Sequence, residues 1–185
     1  MIECSIPRAG VEGITMSSTN RGATRNENDK YITPDYTVDS LLSVLDIEKV
    51  RAGNLSFFEP CRATGVIYNC IPAPIKSFAE IDEGIDYMAR RFYADFIITN
   101  PPFSLAMPFL TKSLSEAPTV IYLLRLNFLG SQKRKAFWQA HRPSHVMVLS
   151  KRPSFTGNGT DSIEYAWFAW DKLGLVTLEP GVHVL

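Results

Sequence analysis

The apolar run Ala94-Asp95-Phe96-Ile97-Ile98-Thr99 ends on Asn100-Pro101-Pro102-Phe103, and no other stretch of the chain constrains the fold as tightly. Neither proline has an N–H and each fixes φ, so a strand cannot continue through them. The residue before each proline is also pushed out of the α region. A buried strand over residues 94–99 therefore stops abruptly and leaves a rigid lip at its carboxyl end. On that lip stand an amide side chain, backbone carbonyls and an aromatic ring. Acceptors beside an aromatic face suit a planar ligand with an amino group, as a nucleobase has.

The remaining sequence supplies the sheet that this strand needs. Residues 37–50 place Val38, Leu41, Leu42, Leu45 and Val50 near helical spacing, with Asp39 in the first turn and Gly53 beyond the end. Further strands are predicted over 55–58, 75–81, 119–126, 144–149 and 163–170. Helical segments are predicted over 105–114 and 131–141, the latter capped by Ser131, and a brief helical or irregular piece over 65–70. Continuous apolar strands alternating with helices predict an α/β domain whose mostly parallel central sheet is flanked by helices. Residues 1–30 are rich in Ser, Thr, Asn, Gly and Arg without periodicity and read as a flexible arm. Residues 31–185 read as one domain, as the length of 185 residues also predicts.

The formal net charge is zero, yet the charges are unevenly placed. Between residues 117 and 160 there is no Asp or Glu, while Arg125, Lys133, Arg134, Lys135, Arg142, Lys151 and Arg152 all fall there. A stretch with seven cations and no anion predicts a surface that attracts phosphate. Arg125 interrupts the longest apolar candidate, residues 120–128, so no membrane span is expected. Residues 1–30 lack a signal pattern. Cys4, Cys61 and Cys70 show neither metal-type spacing nor an even count for disulfides. A cytoplasmic setting and no metal are the expectations.

In open α/β sheets, ligands bind beyond the carboxyl ends of the strands, where strand order reverses. Three predicted strand ends carry suitable residues: Glu59-Pro60-Cys61-Arg62-Ala63-Thr64-Gly65, then Glu80 and Asp82, then Asn100 to Phe103. At these positions the chain resembles the amino-group DNA methyltransferases of phages and bacteria, the adenine-N6 type that uses S-adenosylmethionine and includes restriction–modification enzymes. The family's cofactor loop commonly reads Glu-Pro-Ser-x-Gly-Thr-Gly, matched here at residues 59–65 with Ala63 where glycine is usual. Its upstream Tyr-x-Thr-Pro element is matched by Tyr31, Thr33 and Pro34, and its catalytic tetrad by Asn100, Pro101, Pro102 and Phe103.

The resemblance implies a Rossmann-like class I methyltransferase fold and methyl transfer to adenine N6 on a base taken out of the duplex. It implies a cofactor site of Tyr31, Thr33, Pro34, Glu59, Pro60, Thr64, Gly65, Glu80, Asp86 and Asn100. Asp82 is the alternative to Glu80 for the acid on the ribose. Arg152 and Phe155 are the implied substrate contacts, and Arg125, which ends a strand beside the site, reads either as a contact to substrate phosphate or base or as a buried cap of the strand end. Phe103 has two readings, as a stacking partner for the base and as a core residue opening the next helix. Tyr165 and Trp167 alternate along a strand and read as core. RNA adenine N6 or guanine N2, a glutamine amide in protein, and a catalytically silent module with this fold are the competing readings. Without a separate target-recognition domain in view, recognition by loops or through a homodimer or separate specificity subunit is expected.

Overall fold

The computed structural model describes residues 32–155 and 162–185. Its centre is a seven-stranded sheet made of β1 (Ser56–Glu59), β2 (Ile75–Phe78), β3 (Phe96–Thr99), β4 (Thr119–Arg125), β5 (His145–Val148), β6 (Tyr165–Asp171) and β7 (Gly181–Val184). The strand order is β2-β1-β3-β4-β6-β5-β7. All pairings are parallel except those of β6 with β4 and with β5, so β6 alone runs against the others. The mostly parallel α/β sheet expected from the sequence is present.

β3 and β4 are continuous apolar runs because both of their faces are covered. One face packs Phe57, Phe96, Ile98, Ile121, Leu123 and Trp167 against α1 (Asp35–Leu42), α2 (Ile47–Ala52) and α3 (Val66–Cys70). The other packs Phe58, Ile97, Val120, Tyr122 and Phe168 against α4 (Ala106–Glu116) and α5 (Lys135–Ala140). Ser113 on α4 sits between the buried hydroxyls of Tyr87 and Tyr122, at 2.8 and 2.6 Å, and so pins α4 to the sheet. Burial pushes both tyrosines' pKa values up, so their hydroxyls stay neutral.

Two expectations are corrected and one strand is added. The single helix over residues 37–50 is two, α1 and α2, because Leu45 leaves to bridge Val176 and the Asp46 N–H donates to the Leu175 carbonyl. Asp46 then caps α2 by accepting from the Lys49 N–H at 2.9 Å. Ser131 makes no capping bond: the segment starts as a 3₁₀ turn, Gln132–Arg134, before α5. Strand β7 went unseen in the sequence. Its four residues are mostly exposed at the sheet edge and lack the buried apolar run that marks β4. The arm of residues 1–30 and the loop tip at 156–161 lie outside the described residues.

Candidate active site

The chain leaves β1 for β2 on one side and takes up β3 on the other, so the loops that follow β1 and β3 diverge at their carboxyl ends. That divergence is where an α/β sheet opens a crevice. Both of the predicted motif loops border it.

The loop after β1 is built from backbone turns and two acids. Gly65 caps α3 with φ 83°, and Ala63 stands at φ 48°, in the region that only glycine enters without cost. A non-glycine residue there costs roughly 1–2 kcal/mol, and the loop is held there by bonds from its neighbours. The Arg62 N–H donates to the Ala79 carbonyl at 3.1 Å, and the Ala79 N–H to the Glu59 carbonyl at 2.9 Å. Glu80 accepts from the Ala63 N–H at 2.5 Å and from the Asp82 N–H at 3.4 Å, so its buried carboxylate ties the two loops together. Asp82 is exposed.

Glu59 is buried to 2 % exposure, and its Oε2 has no hydrogen-bond partner among the described residues. Burial pushes its carboxyl well above the usual carboxylate range, against the Tyr68 backbone hydrogen bond and the nearby Arg62 charge, which lower it. Pro60 and Gly65 are buried and Thr64 is exposed on the loop. Asp86 is half-buried and accepts from the Met88 N–H at 2.8 Å, capping a 3₁₀ turn at Tyr87–Ala89.

The lip after β3 is fixed from two sides. The Asn100 side-chain nitrogen donates to Thr33 Oγ1 at 3.1 Å, and Thr33 is itself buried beside Pro34 at the start of α1. The thiol of Cys61 lies 3.0 Å from Thr99 Oγ1 and donates to the Asn100 carbonyl at 3.4 Å. Pro101 is buried, Pro102 half-buried, and Phe103 opens a 3₁₀ turn, Phe103–Leu105, that leads into α4. Tyr31 lies outside the described residues.

An aromatic wall faces the lip. The Phe103 ring centroid is 5.7 Å from that of Tyr165 and 6.2 Å from that of Phe155, and those two are 5.0 Å apart. The Arg125 guanidinium sits 4.5 Å from the Phe103 centroid while its Nε donates to the Tyr165 hydroxyl at 2.9 Å. The carboxyl end of β4, the start of β6, the 151–155 loop and the β3 lip are thus joined by four side chains. Phe103 also packs on the core, as the second of its two readings expects. Arg152 is exposed, and its carbonyl accepts from the Tyr36 hydroxyl at 3.0 Å.

Sequence reasoning missed several members of this arrangement. Tyr36 also accepts from the Ser154 N–H at 3.0 Å and so clips α1 to the 151–155 loop. Only its place two residues after Pro34 hinted at that. Tyr165 reads as core from its alternation, and it is fully buried, yet its hydroxyl and ring edge join the wall. Cys61 carries no signal beyond its place in the loop.

No family model matches the sequence. No curated protein matches it either. Solved structures do share the fold. A candidate RNA methyltransferase from Pyrococcus horikoshii superposes with a TM-score of 0.61 at 16 % identity, over 77 % of this chain and 84 % of that one. A candidate class I S-adenosylmethionine-dependent methyltransferase from Listeria monocytogenes gives 0.59 at 12 % identity, over 89 % of this chain and 67 % of that one. The modification subunit of a candidate type I restriction enzyme from Vibrio vulnificus gives 0.51 at 13 % identity, over 76 % of this chain and 44 % of that one. At such identities the likeness speaks for architecture alone. The chain has the Rossmann-like class I methyltransferase fold.

Proposed function

We propose that the protein transfers a methyl group from S-adenosylmethionine to the exocyclic N6 of adenine in DNA. The observation that carries this reading is the orientation of Asn100. Its amide nitrogen donates to Thr33 Oγ1 at 3.1 Å, the orientation in which its oxygen serves as the acceptor for a substrate amino group. The Pro101 carbonyl is a second acceptor on the same lip, and a proline there has no N–H to repel the amino hydrogens.

The residues present fit the cofactor. Glu59 offers a buried carboxyl oxygen without a partner among the described residues, suited to a ligand's ammonium group. Pro60, Thr64 and Gly65 shape the loop beside it, Glu80 brings to the end of the second strand the kind of carboxylate that accepts from ribose hydroxyls, and Asp86 can accept from an adenine amino group. Thr33 and Pro34 back the site from α1. When bound, S-adenosylmethionine supplies an electrophilic methyl group on a sulfonium.

The protein's own part is positioning. The N6 lone pair of adenine is delocalised into the ring and is a poor nucleophile. With both N6 hydrogens held by Asn100 Oδ1 and the Pro101 carbonyl, the nitrogen becomes more pyramidal and its lone pair leaves the ring plane. It can then take the methyl group in line and give up one proton to solvent. Such alignment contributes about 7–11 kcal/mol. Phe103 and Phe155 supply aromatic surface beside the extruded base, and Arg125 and Arg152 supply charge for its phosphate.

DNA is favoured over RNA and protein by the Thr33-Pro34 element and by the Arg152-Pro153-Ser154-Phe155 loop that Tyr36 joins to it. The test is transfer of labelled methyl to unmethylated DNA, RNA and a protein lysate in parallel. Label recovered as N6-methyladenine in DNA, and lost in Asn100→Ala, is the expected result. Label in RNA or protein would keep the lip chemistry and overturn the substrate. No transfer to any of them would overturn the enzyme.

A further inference from the structure

One flank of the molecule remains outside the site just described. A groove of about 650 Å³ runs along α5 and is lined chiefly by Ser131, Gln132, Lys135, Trp138, Gln139 and Arg142. Lys135, Trp138 and Gln139 follow the i, i+3, i+4 spacing of one helical face, and Arg142 stands two residues past the end of α5. Lys135, Gln139 and Arg142 are exposed. No acidic residue lines the groove, and among the described residues neither Lys135 nor Arg142 forms an ion pair. Other cations are used differently: Arg62 pairs with Glu83, Lys112 with Glu116, and Arg134 donates to the Phe128 carbonyl while covering its ring.

We infer that this face of α5 is a track for the sugar–phosphate backbone of duplex DNA, a partner class that rests on the reading in the preceding subsection. Charge complementarity points there first, since two uncompensated cations flanked by amide and hydroxyl groups make up the side-chain set that binds phosphate and sugar. The groove also starts in the right place. Leu129 and Ser131 stand just past the 3₁₀ turn Leu126–Phe128, which follows Arg125 at the carboxyl end of β4. The track therefore leads away from the aromatic wall. The 3₁₀ turn Gln132–Arg134 and α5 together extend roughly 15 Å, which matches about four phosphates of one strand at ~3.4 Å each along the axis.

A duplex fits better than a splayed single strand. Single-strand sites use open aromatic faces as stacking platforms. Here the groove's aromatic, Trp138, is already stacked on Trp170, with centroids 6.1 Å apart and planes at 8°. Trp170 is in turn fixed by donation from its Nε1 to the His141 carbonyl at 3.0 Å. The groove floor is rigid, and its reachable groups are those that grip a backbone.

The test is fluorescence anisotropy of labelled duplex DNA, duplex RNA and single-stranded DNA with the full chain across a salt series. It compares wild type, the double variant Lys135→Gln/Arg142→Gln, and Arg51→Gln, a cation on the other face of the sheet, as control. Losing two phosphate contacts should lower the slope of log K against log[salt] by about 2. It should also weaken duplex DNA binding at least tenfold at low salt, with Arg51→Gln unchanged. S-adenosylmethionine affinity and thermal melting serve as checks that the double variant is folded. Wild-type binding to DNA with the same slope and affinity in the double variant would overturn the track and leave the DNA reading intact. Tighter binding to RNA or to the single strand would overturn the duplex assignment. No binding of wild type to any nucleic acid would overturn the reading on which the track rests.

Discussion

On the β1–β2 side of the molecule, the charges that matter are acids sunk into loops, Glu59 and Glu80, both buried. On the β4–β5 side they are cations, of which Arg125 is half-buried and Lys135, Arg142, Lys151 and Arg152 are exposed. The difference teaches what each side is built to hold. A desolvated carboxylate interacts strongly with a charge placed beside it but costs stability while it waits. That suits a small cationic ligand seated in one pose. Exposed cations are screened and individually weak, and they suit a polyanion that touches many of them at once. The lip after β3 lies between the two, and in the proposed reaction it is where the methyl donor from one side meets the base from the other.

The largest effect is expected at that meeting point. Asn100→Ala removes the acceptor oxygen and the bond to Thr33 together. Loss of one preorganised polar group at a reacting centre typically costs ~10²–10³ in kcat, and turnover should fall by at least that much while cofactor affinity, read by calorimetry, changes little. Asn100→Asp keeps an acceptor and should recover part of the loss. If instead cofactor affinity collapses in both variants, Asn100 belongs to the cofactor side of the comparison.

Phe103→Ala comes next. It removes a ring that touches Arg125, Phe155 and Tyr165. Stacking on a base is worth ~1–3 kcal/mol, so kcat/KM for DNA should drop about tenfold to a hundredfold. Unchanged kinetics with a lowered Tm would make the ring a core residue only.

Glu59→Gln tests the buried-acid side without DNA. Burial holds this carboxyl protonated to higher pH in the folded chain than in the unfolded chain. Its stability contribution is therefore whole below the ordinary carboxylate range and is lost as pH rises through the raised folded-state value. The glutamine variant should lack that loss, and above this window it should be more stable than wild type by ~1–3 kcal/mol, the cost of an unsatisfied buried group. At about 2–4 °C per kcal/mol for a chain of this size, thermal melts from acid to neutral pH will read it. The same variant should bind S-adenosylmethionine more weakly, with the deficit growing as pH rises. A variant whose melting curve keeps the wild-type pH dependence would sink the assignment.

What could be read from the sequence divides along physical lines. The lip and the β1 loop were legible because prolines, a left-handed glycine and buried strands leave local signatures, and the switch point follows from strand order. The break between α1 and α2 was not, because it is set by Leu45 and Asp46 bonding to residues about 130 positions away. β7 was not, because an exposed edge strand buries too little to show a pattern. In the site, Asn100 and Glu59 declared themselves by neighbours in the chain. Tyr165 and Tyr36 did not, since their roles come from hydroxyls that reach across the fold.

Tyr36 gives the smallest effect and the sharpest division between the two sides. Its hydroxyl donates to the Arg152 carbonyl and accepts from the Ser154 N–H, both at 3.0 Å, while Lys151 Nζ lies 4.1 Å from its ring centroid. Tyr36→Phe keeps the ring and its cation contact and deletes only the two hydrogen bonds. Both ends are reachable by water, so the loss is about 1 kcal/mol, or roughly fivefold in an equilibrium constant. That cost falls on the loop carrying Phe155 and Arg152, on the substrate side. KM for DNA should rise about fivefold with kcat and cofactor affinity unchanged. Because Tyr36 grows from the same helix start that presents Thr33 to Asn100, the opposite split is also informative. A fall in cofactor affinity with KM for DNA constant would mean that α1 serves the β1 side, and that the 151–155 loop is held in place by other contacts.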